Sequence, residues 1–219
     1  VVSRTTDEKT GKLKPALFIV PTDAPGFTAT RIPMDLHMAD SQFSLFLDDV
    51  HLPADALVGK EDGALMQLFA GLNPERIMAA SIATGMSRYA LGKAKKYVNE
   101  RQVWGQPIGA HQAIAHPLAT AHIEMELARL MMQKAATLYD LGDDMGAGEA
   151  ANMAKYASAE ASVKAVDAAI QSHGGNGFAS EYGLAILLAS SRLSRVAPVS
   201  REMVLNFVAQ HSLGLPKSY

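Results

Sequence analysis

The sequence predicts a mainly α-helical fold: an antiparallel four-helix-type bundle with short extra helices, preceded by part of a β-barrel or β-sheet domain. Only four of the 36 alanines in the 219 residues precede His51. Alanine has the highest helix propensity, so this shift indicates a change of structure close to residue 55. Short apolar runs before that point and helical spacing after it indicate the same division. We therefore place the β part at residues 1–58 and the bundle at residues 59–219.

Short apolar runs in the first part predict β-strands. They cover residues 16–20, 27–32 and 43–50. Pro21, Pro25 and Gly26 lie between the first two runs. Apolar runs of this length, separated by proline and glycine, are typical of strands joined by turns.

A long helix is predicted to begin near Pro74. Proline suits the first turn of a helix, and Asn73 before it can cap the free backbone N–H groups. Glu75 adds a negative charge at the positive end of the helix dipole. Further helices are predicted over residues 111–141, 148–173, 180–193 and 199–212.

Composition and charge exclude several classes of function. With 20 Lys and Arg against 22 Asp and Glu, the net charge of −2 provides no basic field for nucleic acid. The absence of cysteine excludes disulfides, thiolate nucleophiles and the common zinc sites. Residues 102–123 lack Asp, Glu, Lys and Arg but contain Gln, Pro, Gly and three His, so we predict no membrane span. His111, His116 and His122 fall on different sides of a helix, and we expect no metal site.

The residues alone leave the role of three local features undecided. The Gly-Gly-Asn-Gly loop at 174–177 ends a predicted helix, which favours a C-terminal cap over a phosphate-binding loop, because the latter opens a helix. The simplest interpretation of Glu75 and Arg76 is an exposed ion pair in the first turn of the predicted long helix. Trp104, the single tryptophan, lies in a polar connection where it can stack on a planar ligand or on a partner chain.

Five ordered motifs give the chain a specific resemblance. They are Leu72-Asn-Pro-Glu-Arg76, Arg101-Gln-Val-Trp-Gly-Gln-Pro-Ile108, His111-Gln112-Ala-Ile114, Gln171-Ser-His-Gly-Gly-Asn-Gly-Phe178 and Glu181-Tyr182. With them the chain resembles the acyl-CoA dehydrogenase family of flavoproteins over essentially its whole length. The resemblance implies that residues 1–58 end the family's middle β domain and that residues 59–219 form its C-terminal bundle. The family's N-terminal helical domain and first barrel strands are then expected upstream of Val1.

The resemblance implies α,β-dehydrogenation of an acyl-CoA thioester with FAD as cofactor. In the family a carboxylate removes the α-proton while the β-hydrogen leaves as hydride to the flavin N5. The usual base position, counted without gaps from Asn176, falls on Pro198, which has no acid–base group. A minority of the family carries the base on the long helix directly before an arginine, where this chain has Glu75 before Arg76. Glu75 is therefore expected to be the catalytic base.

The other site residues carry over from the family position by position. Substrate contacts are implied for Asn73, Arg76, Ala197 and Pro198. Cofactor contacts are implied for Arg101, Trp104, Gln112, Gln171, Ser172, His173, Gly174, Gly175, Ser200 and Glu202, with no metal. The glycine loop can therefore end a helix and also present backbone amides to the cofactor. The family's usual Arg-Asp pair in the following helix is replaced by Ala189 and Ser190.

The family also implies partners and a cellular location. The partners are an acyl-CoA substrate, an electron-transfer flavoprotein that reoxidises the FAD, and copies of the chain in a homo-oligomer, a dimer or a tetramer. The expected location is the cytoplasm of a bacterium or the mitochondrial matrix of a eukaryote. Two alternatives stay open: an inactive or truncated helical oligomerisation module, and a flavin monooxygenase or oxidase of the same fold. A fragment of this length alone is expected to be inactive.

Overall fold

The computed structural model of the chain describes residues 1–36, 40–60 and 63–217. The chain divides into two compact units, Val1–Leu72 and Asn73–Tyr219. Strands are concentrated in the first unit and helices in the second, which confirms the predicted mainly α-helical fold. The domain boundary proposed between residues 58 and 59 stays a prediction.

The first unit contains two antiparallel β-hairpins. Their strands are β1 (Val2–Thr6), β2 (Leu13–Leu17), β3 (Phe27–Ile32) and β4 (Gln42–Leu47). In the two registers Val2 lies opposite Leu17 and Phe27 lies opposite Leu47. Ala16 is buried, but most side chains of these strands are exposed, so the hairpins bury little apolar surface of their own.

The strand prediction for residues 27–32 is confirmed, and the other two predicted strands have wrong bounds. The strand predicted at 43–50 ends earlier because the backbone turns at Asp49, which has a φ of +48°. The strand predicted at 16–20 begins and ends earlier, since the chain leaves β2 to form an isolated bridge with Leu57.

The first helix, α1 (Ala64–Glu100), begins well before Pro74, so the predicted start there is wrong. Proline inside a helix removes one backbone hydrogen bond. Alanine, leucine, methionine and glutamine before it are strong helix formers, and the helix continues through the proline. The predicted capping role of Asn73 is also wrong, because this residue lies inside the helix and its Oδ1 accepts a hydrogen bond from Arg76 Nη1 at 3.2 Å.

A helical hairpin of α2 (Gln112–Asp140) and α3 (Asp144–His173) follows, with bounds at most four residues from those predicted. Asp143 caps α3 by accepting a hydrogen bond from the Gly146 N–H at 3.0 Å. Gly174 ends α3 with a φ of +58°, which a residue with a Cβ adopts only with strain. Both ends of α3 are therefore explained by local sequence.

The last two helices are shorter than predicted. They are α4 (Leu187–Leu193) and α5 (Arg201–Phe207). A single 3-10 turn forms in place of the first residues predicted at 180–193, because Gly183 turns the chain with a φ of +66°. A π-helical turn follows α5 in place of the end of the helix predicted at 199–212.

Alanine forms most of the core of the second unit. Three clusters of buried residues join α1, α2 and α3, and their alanines are Ala90, Ala94, Ala121, Ala128, Ala135, Ala150, Ala151, Ala161, Ala165 and Ala169. Helices with such small facing side chains can approach to about 8 Å between axes. The buried hydroxyls of Ser87 and Ser158 bond to carbonyls of their own helices at 2.8 and 2.7 Å, so they need no partner across the core.

Two kinds of feature are absent from the part of the chain that the structure describes. No helix in it combines the length and apolar character needed to cross a membrane. No three histidine or acidic side chains in it converge to hold a metal ion.

Candidate functional site

The first group of predicted site residues lies in the first third of α1. Glu75 is exposed, whereas Arg76 turns toward the bundle and is 5% exposed. Burial lowers the pKa of the Arg76 guanidinium, and the adjacent Glu75 carboxylate offsets part of that effect. Asn73, half-buried, accepts the hydrogen bond from Arg76 described above. An exposed acid thus lies beside a buried guanidinium.

A lysine that sequence reasoning missed joins this group. Lys155 of α3 is 2% exposed, and its Nζ donates a hydrogen bond to the carbonyl of Val199. Burial, followed by the positive charge of Arg76, lowers the pKa of Lys155 to about 8. The carboxylates of Glu202 and Glu160 act in the opposite direction. The ammonium group therefore lies among charges from three parts of the chain.

The sequence holds one signal for this lysine. Ala147, Ala151 and Lys155 follow one another at four-residue spacing on α3, and all three are buried. A charged residue that continues an alanine face is an exception to helix amphipathicity. This lysine on a buried alanine face is the sequence pattern from which a functional role of Lys155 could have been inferred.

The chain segment before α5 is held against α3 by ion pairs. The Glu160 carboxylate lies 2.7 Å from Arg195 Nη2 and 3.3 Å from Arg201 Nη1. Arg201 Nε also lies 3.4 Å from the carboxylate of Glu202. Ser200 caps α5 by accepting a hydrogen bond from a backbone N–H of that helix at 3.3 Å. Side chains on both sides of the segment therefore fix its course.

Lys155 connects two sets of predicted substrate contacts. It lies within electrostatic range of Arg76 on α1 and bonds to the backbone of the segment 197–202. Within that segment Ala197 is exposed and Pro198 is half-buried, and the peptide bond between them is cis. The structure thus brings the Arg76 side of α1 and the Pro198 segment into one region.

The second group of predicted site residues lies at the other end of α1, around a small hairpin. Its strands are β5 (Gln102–Val103) and β6 (Gln106–Pro107), and Trp104 and Gly105 form the turn. Both turn residues have positive φ, +52° and +78°, as a two-residue type I′ turn requires. The Trp104 side chain is 88% exposed and meets the His111 ring edge-on, with centroids 5.5 Å apart. Most of the indole surface is therefore open to a ligand or partner.

A pocket of about 540 Å³ lies between the end of α1 and the turn after α3. Its charged lining consists of Lys93, Lys96, Arg101, Glu100 and Glu181. Three rings pack together beside them: Tyr97 and His173 stack with centroids 4.2 Å apart, and Tyr182 meets both edge-on. Asn176 donates a hydrogen bond to the Tyr97 hydroxyl at 3.0 Å. The pocket combines an excess of positive charge with a rigid aromatic wall.

Two polar side chains in the last turn of α3 turn inward. Ser172 Oγ and His173 Nδ1 both donate to the carbonyl of Ala169, at 2.8 and 2.7 Å, and both residues are buried. The other predicted contacts here, all exposed, are Gln171 in the last turn of α3 and Gly174 and Gly175 in the loop that follows it. A ligand at this loop would therefore meet backbone amides and Gln171 rather than the Ser172 hydroxyl.

The two groups lie far apart within one chain. Glu75 and Glu100 are 25 residues apart on α1, and at a rise of about 1.5 Å per residue this separates them by about 37 Å along the axis. Arg101 directly follows α1, and the exposed Gln112 opens α2 beyond the Trp104 hairpin. The structure does not bring Glu75 and Arg101 together in a single chain.

Comparison with known proteins gives consistent relatives for the whole chain. The protein family described as "Acyl-CoA dehydrogenase, C-terminal domain" matches residues 62–213. The "Acyl-CoA dehydrogenase FadE12" of Mycobacterium tuberculosis (strain ATCC 25618 / H37Rv) is 69% identical over 219 residues, which cover 100% of this chain and 56% of that protein. This chain thus spans about half the length of that relative.

Two solved structures share the fold over nearly the whole chain. A glutaryl-coenzyme A dehydrogenase in complex with glutaryl-CoA has a TM-score of 0.82 at 27% identity, covering 99% of this chain and 55% of its own. The butyryl-CoA dehydrogenase of Megasphaera elsdenii has a TM-score of 0.84 at 25% identity. The match covers 97% of this chain and 55% of the chain of that protein. The helical arrangement described above is therefore similar to that of both proteins.

Proposed function

This chain belongs to the acyl-CoA dehydrogenase family, and we propose that it is the C-terminal part of an FAD-dependent enzyme that introduces a double bond between Cα and Cβ of an acyl-CoA thioester. The observation that carries the proposal is the 69% identity, over the entire chain, to a protein named as an acyl-CoA dehydrogenase. In such a reaction a base removes the α-proton and the β-hydrogen leaves as hydride. FAD, when bound, would supply the hydride acceptor.

We assign the role of base to Glu75. Its carboxylate points outward from α1 because the next side chain, Arg76, turns into the bundle. Pro198, in the alternative position for a base, has no acid–base group and lies in the region that Lys155 connects to Arg76. A base for a weakly acidic C–H group must reach the proton and be shielded from water. We propose that substrate and residues outside this chain complete that shield.

The residues at the other end of α1 fit an anionic, planar cofactor. Three cations, Lys93, Lys96 and Arg101, outnumber the two carboxylates, Glu100 and Glu181, in the lining of one pocket, and this excess favours an anionic group such as pyrophosphate. The open face of Trp104 suits stacking on a planar ring. We propose that Arg101, Trp104, Gln112 and the loop residues Gln171, Ser172, His173, Gly174 and Gly175 hold FAD, the Ser172 and His173 contribution coming from the backbone.

The separation of the two groups supports a cofactor site shared between subunits. Ser200 and Glu202 lie in the Lys155 region and are proposed to contact the FAD that serves Glu75 in the same chain. Arg101, about 37 Å away along α1, is proposed to contact the FAD of a neighbouring subunit. The proposed assembly is therefore a homo-oligomer, a dimer or tetramer. An electron-transfer flavoprotein is proposed to reoxidise its FAD.

Replacement of Glu75 in the full-length enzyme tests the proposed function. Glu75→Gln keeps the size of the side chain and removes its ability to accept a proton. We expect flavin reduction by acyl-CoA, followed anaerobically by stopped-flow absorbance, to slow by about 100-fold or more. Binding of acyl-CoA, read from the shift of the flavin spectrum before reduction, should change little.

Asp167→Asn provides a matched control, because it removes one exposed carboxylate from α3 outside both groups. That variant is expected to reduce its flavin at the unmutated rate. Undiminished flavin reduction in Glu75→Gln would exclude Glu75 as the base. A purified full-length protein without flavin absorbance would contradict the proposed cofactor.

A further inference from the structure

Lys155 is a buried cation to which the proposed reaction gives no role. Its ammonium group lies inside the bundle and donates to the carbonyl of Val199, 44 residues further along the chain. Its charged neighbours are the Arg76 guanidinium on α1 and the carboxylates of Glu160 and Glu202. The lysine therefore bonds to the Pro198 segment and lies within electrostatic range of charged residues on α1, α3 and α5.

The position of Lys155 is unfavourable for the fold. Removal of an ammonium group from water is costly, and the guanidinium of Arg76 repels it. Of the two carboxylates that attract it, Glu160 is already paired with Arg195 and Arg201. A charge kept where it destabilises the fold is typical of a functional site.

The backbone around Val199 forms a loop that Lys155 holds from the side. The Arg201 N–H donates to the carbonyl of Arg195 at 3.0 Å and closes this loop. Inside it, the Ala197 N–H bonds backward to a carbonyl at the end of α4 at 3.0 Å. The hydrogen bond from Lys155 ties the Val199 backbone, in the middle of the loop, to α3.

We propose that Lys155 is a positioning residue of the acyl-CoA site. By holding the Val199 carbonyl it fixes Ala197 and Pro198, the residues assigned to substrate contact, relative to Arg76. This inference rests on the proposed function, because the assignment of the segment to the substrate comes from there. Lys155 touches neither substrate nor cofactor in this assignment, and it acts through the backbone of the segment.

Hydrogen exchange of the full-length protein tests the inference. Lys155→Met removes donor and charge at similar volume, and Lys155→Gln keeps a donor without the charge. Lys164→Met makes the same change at an exposed lysine of α3, paired with Glu124 at 2.6 Å. We expect Lys155→Met to accelerate amide exchange in the peptide of residues 196–203 by about tenfold, with α3 unchanged. Lys164→Met should leave that peptide unchanged.

The rate of flavin reduction by acyl-CoA distinguishes a positioning role of Lys155 from a role in stabilising the fold. We expect Lys155→Met to lower the reduction rate at saturating acyl-CoA by about tenfold without lowering the melting temperature. Lys155→Gln should recover part of that rate, because its amide can still donate to the Val199 carbonyl. A purely structural lysine would instead lower the melting temperature and leave the rate of the folded protein unchanged.

Several results would overturn the inference. Unchanged exchange of residues 196–203 in Lys155→Met would do so, as would acceleration spread evenly over α3. Loss of folding in both Lys155 variants would also overturn it, since a positioning residue is dispensable for the fold. If acyl-CoA fails to reduce the flavin of the unmutated protein, the proposed function fails, and the exchange result alone decides whether Lys155 fixes the segment.

Discussion

The buried ammonium group of Lys155 links the charge of one residue to the stability of the protein. In the folded state the pKa of Lys155 is about 8, below its usual value of 10.5. Below pH 8 the folded and unfolded states both hold the proton, so the full cost of burying the charge is present. Between pH 8 and 10.5 only the unfolded state keeps it, and the free energy of unfolding therefore rises with pH.

We predict that Lys155→Met abolishes this rise. Across pH 7 to 10 the free energy of unfolding of the unmutated protein should increase by about 2–3 kcal/mol relative to the variant. Urea unfolding of both proteins at each pH unit measures the difference. The two proteins share all their other ionisable residues, so the comparison isolates the contribution of Lys155. A difference that stays constant with pH would show that the folded protein does not depress the pKa of Lys155.

The sequence alone can suggest a functional role for residues in motifs, but not the role inferred for Lys155. Glu75, Arg76 and Pro198 could be proposed as site residues because each belongs to a local motif or a fixed spacing. The role inferred for Lys155 depends on a carbonyl 44 residues away and on a charge from another helix. Sequence periodicity could place Lys155 on a buried face, but its partner, the Val199 carbonyl, is defined only by tertiary packing.

At the scale of elements, a helix end could be predicted where the local sequence signal is compatible with only one position in a helix. Gly174 ends α3 directly after the predicted last residue, His173, whereas the Asp143 cap was not predicted and starts α3 four residues before the predicted start at Gly148. Pro74 has two meanings, because proline suits a first turn and is also tolerated inside a helix that packing supports. Most of residues 64–72 are strong helix formers, so a start of α1 before Pro74 was also compatible with helix propensity.

The turn after α3 gives a prediction about packing. A Cβ added at Gly177 would lie 2.7 Å from the backbone oxygen of Ile170 and 3.0 Å from its Cα, so helix α3 itself would have to shift. We expect Gly177→Ala to lower the free energy of unfolding by about 1–3 kcal/mol. Urea unfolding followed by helix signal measures this change.

Gly175 in the same turn is the matched control. A Cβ there meets no atom within 4 Å, and the residue is exposed. Gly175→Ala should therefore change the free energy of unfolding by less than about 1 kcal/mol. Equal destabilisation by both substitutions would mean that the loss of glycine flexibility, and not the contact with Ile170, determines stability at this turn.

At the scale of the whole molecule, α1 is long enough to separate the proposed base, Glu75, from Arg101 and the other proposed cofactor contacts around the Trp104 hairpin of the same chain. The axial distance of about 37 Å between Glu75 and Glu100 cannot be bridged by side chains. In the proposed assembly a complete site takes Glu75 from one subunit and Arg101 from another. In a two-fold symmetric pair each subunit gives both groups once, so two identical sites form.

Mixed oligomers test this arrangement. Glu75→Gln and Arg101→Ala should each be nearly inactive alone, the second through weaker FAD binding. When the two full-length variants are unfolded and refolded together, half of the pairs are mixed, and each mixed pair has one intact site of two, so about one quarter of the unmutated activity should return. Glu75→Gln mixed with Arg76→Met, both from the same group, should recover nothing. If the first mixture shows only the activity of its parents, Glu75 and Arg101 do not act in one shared site.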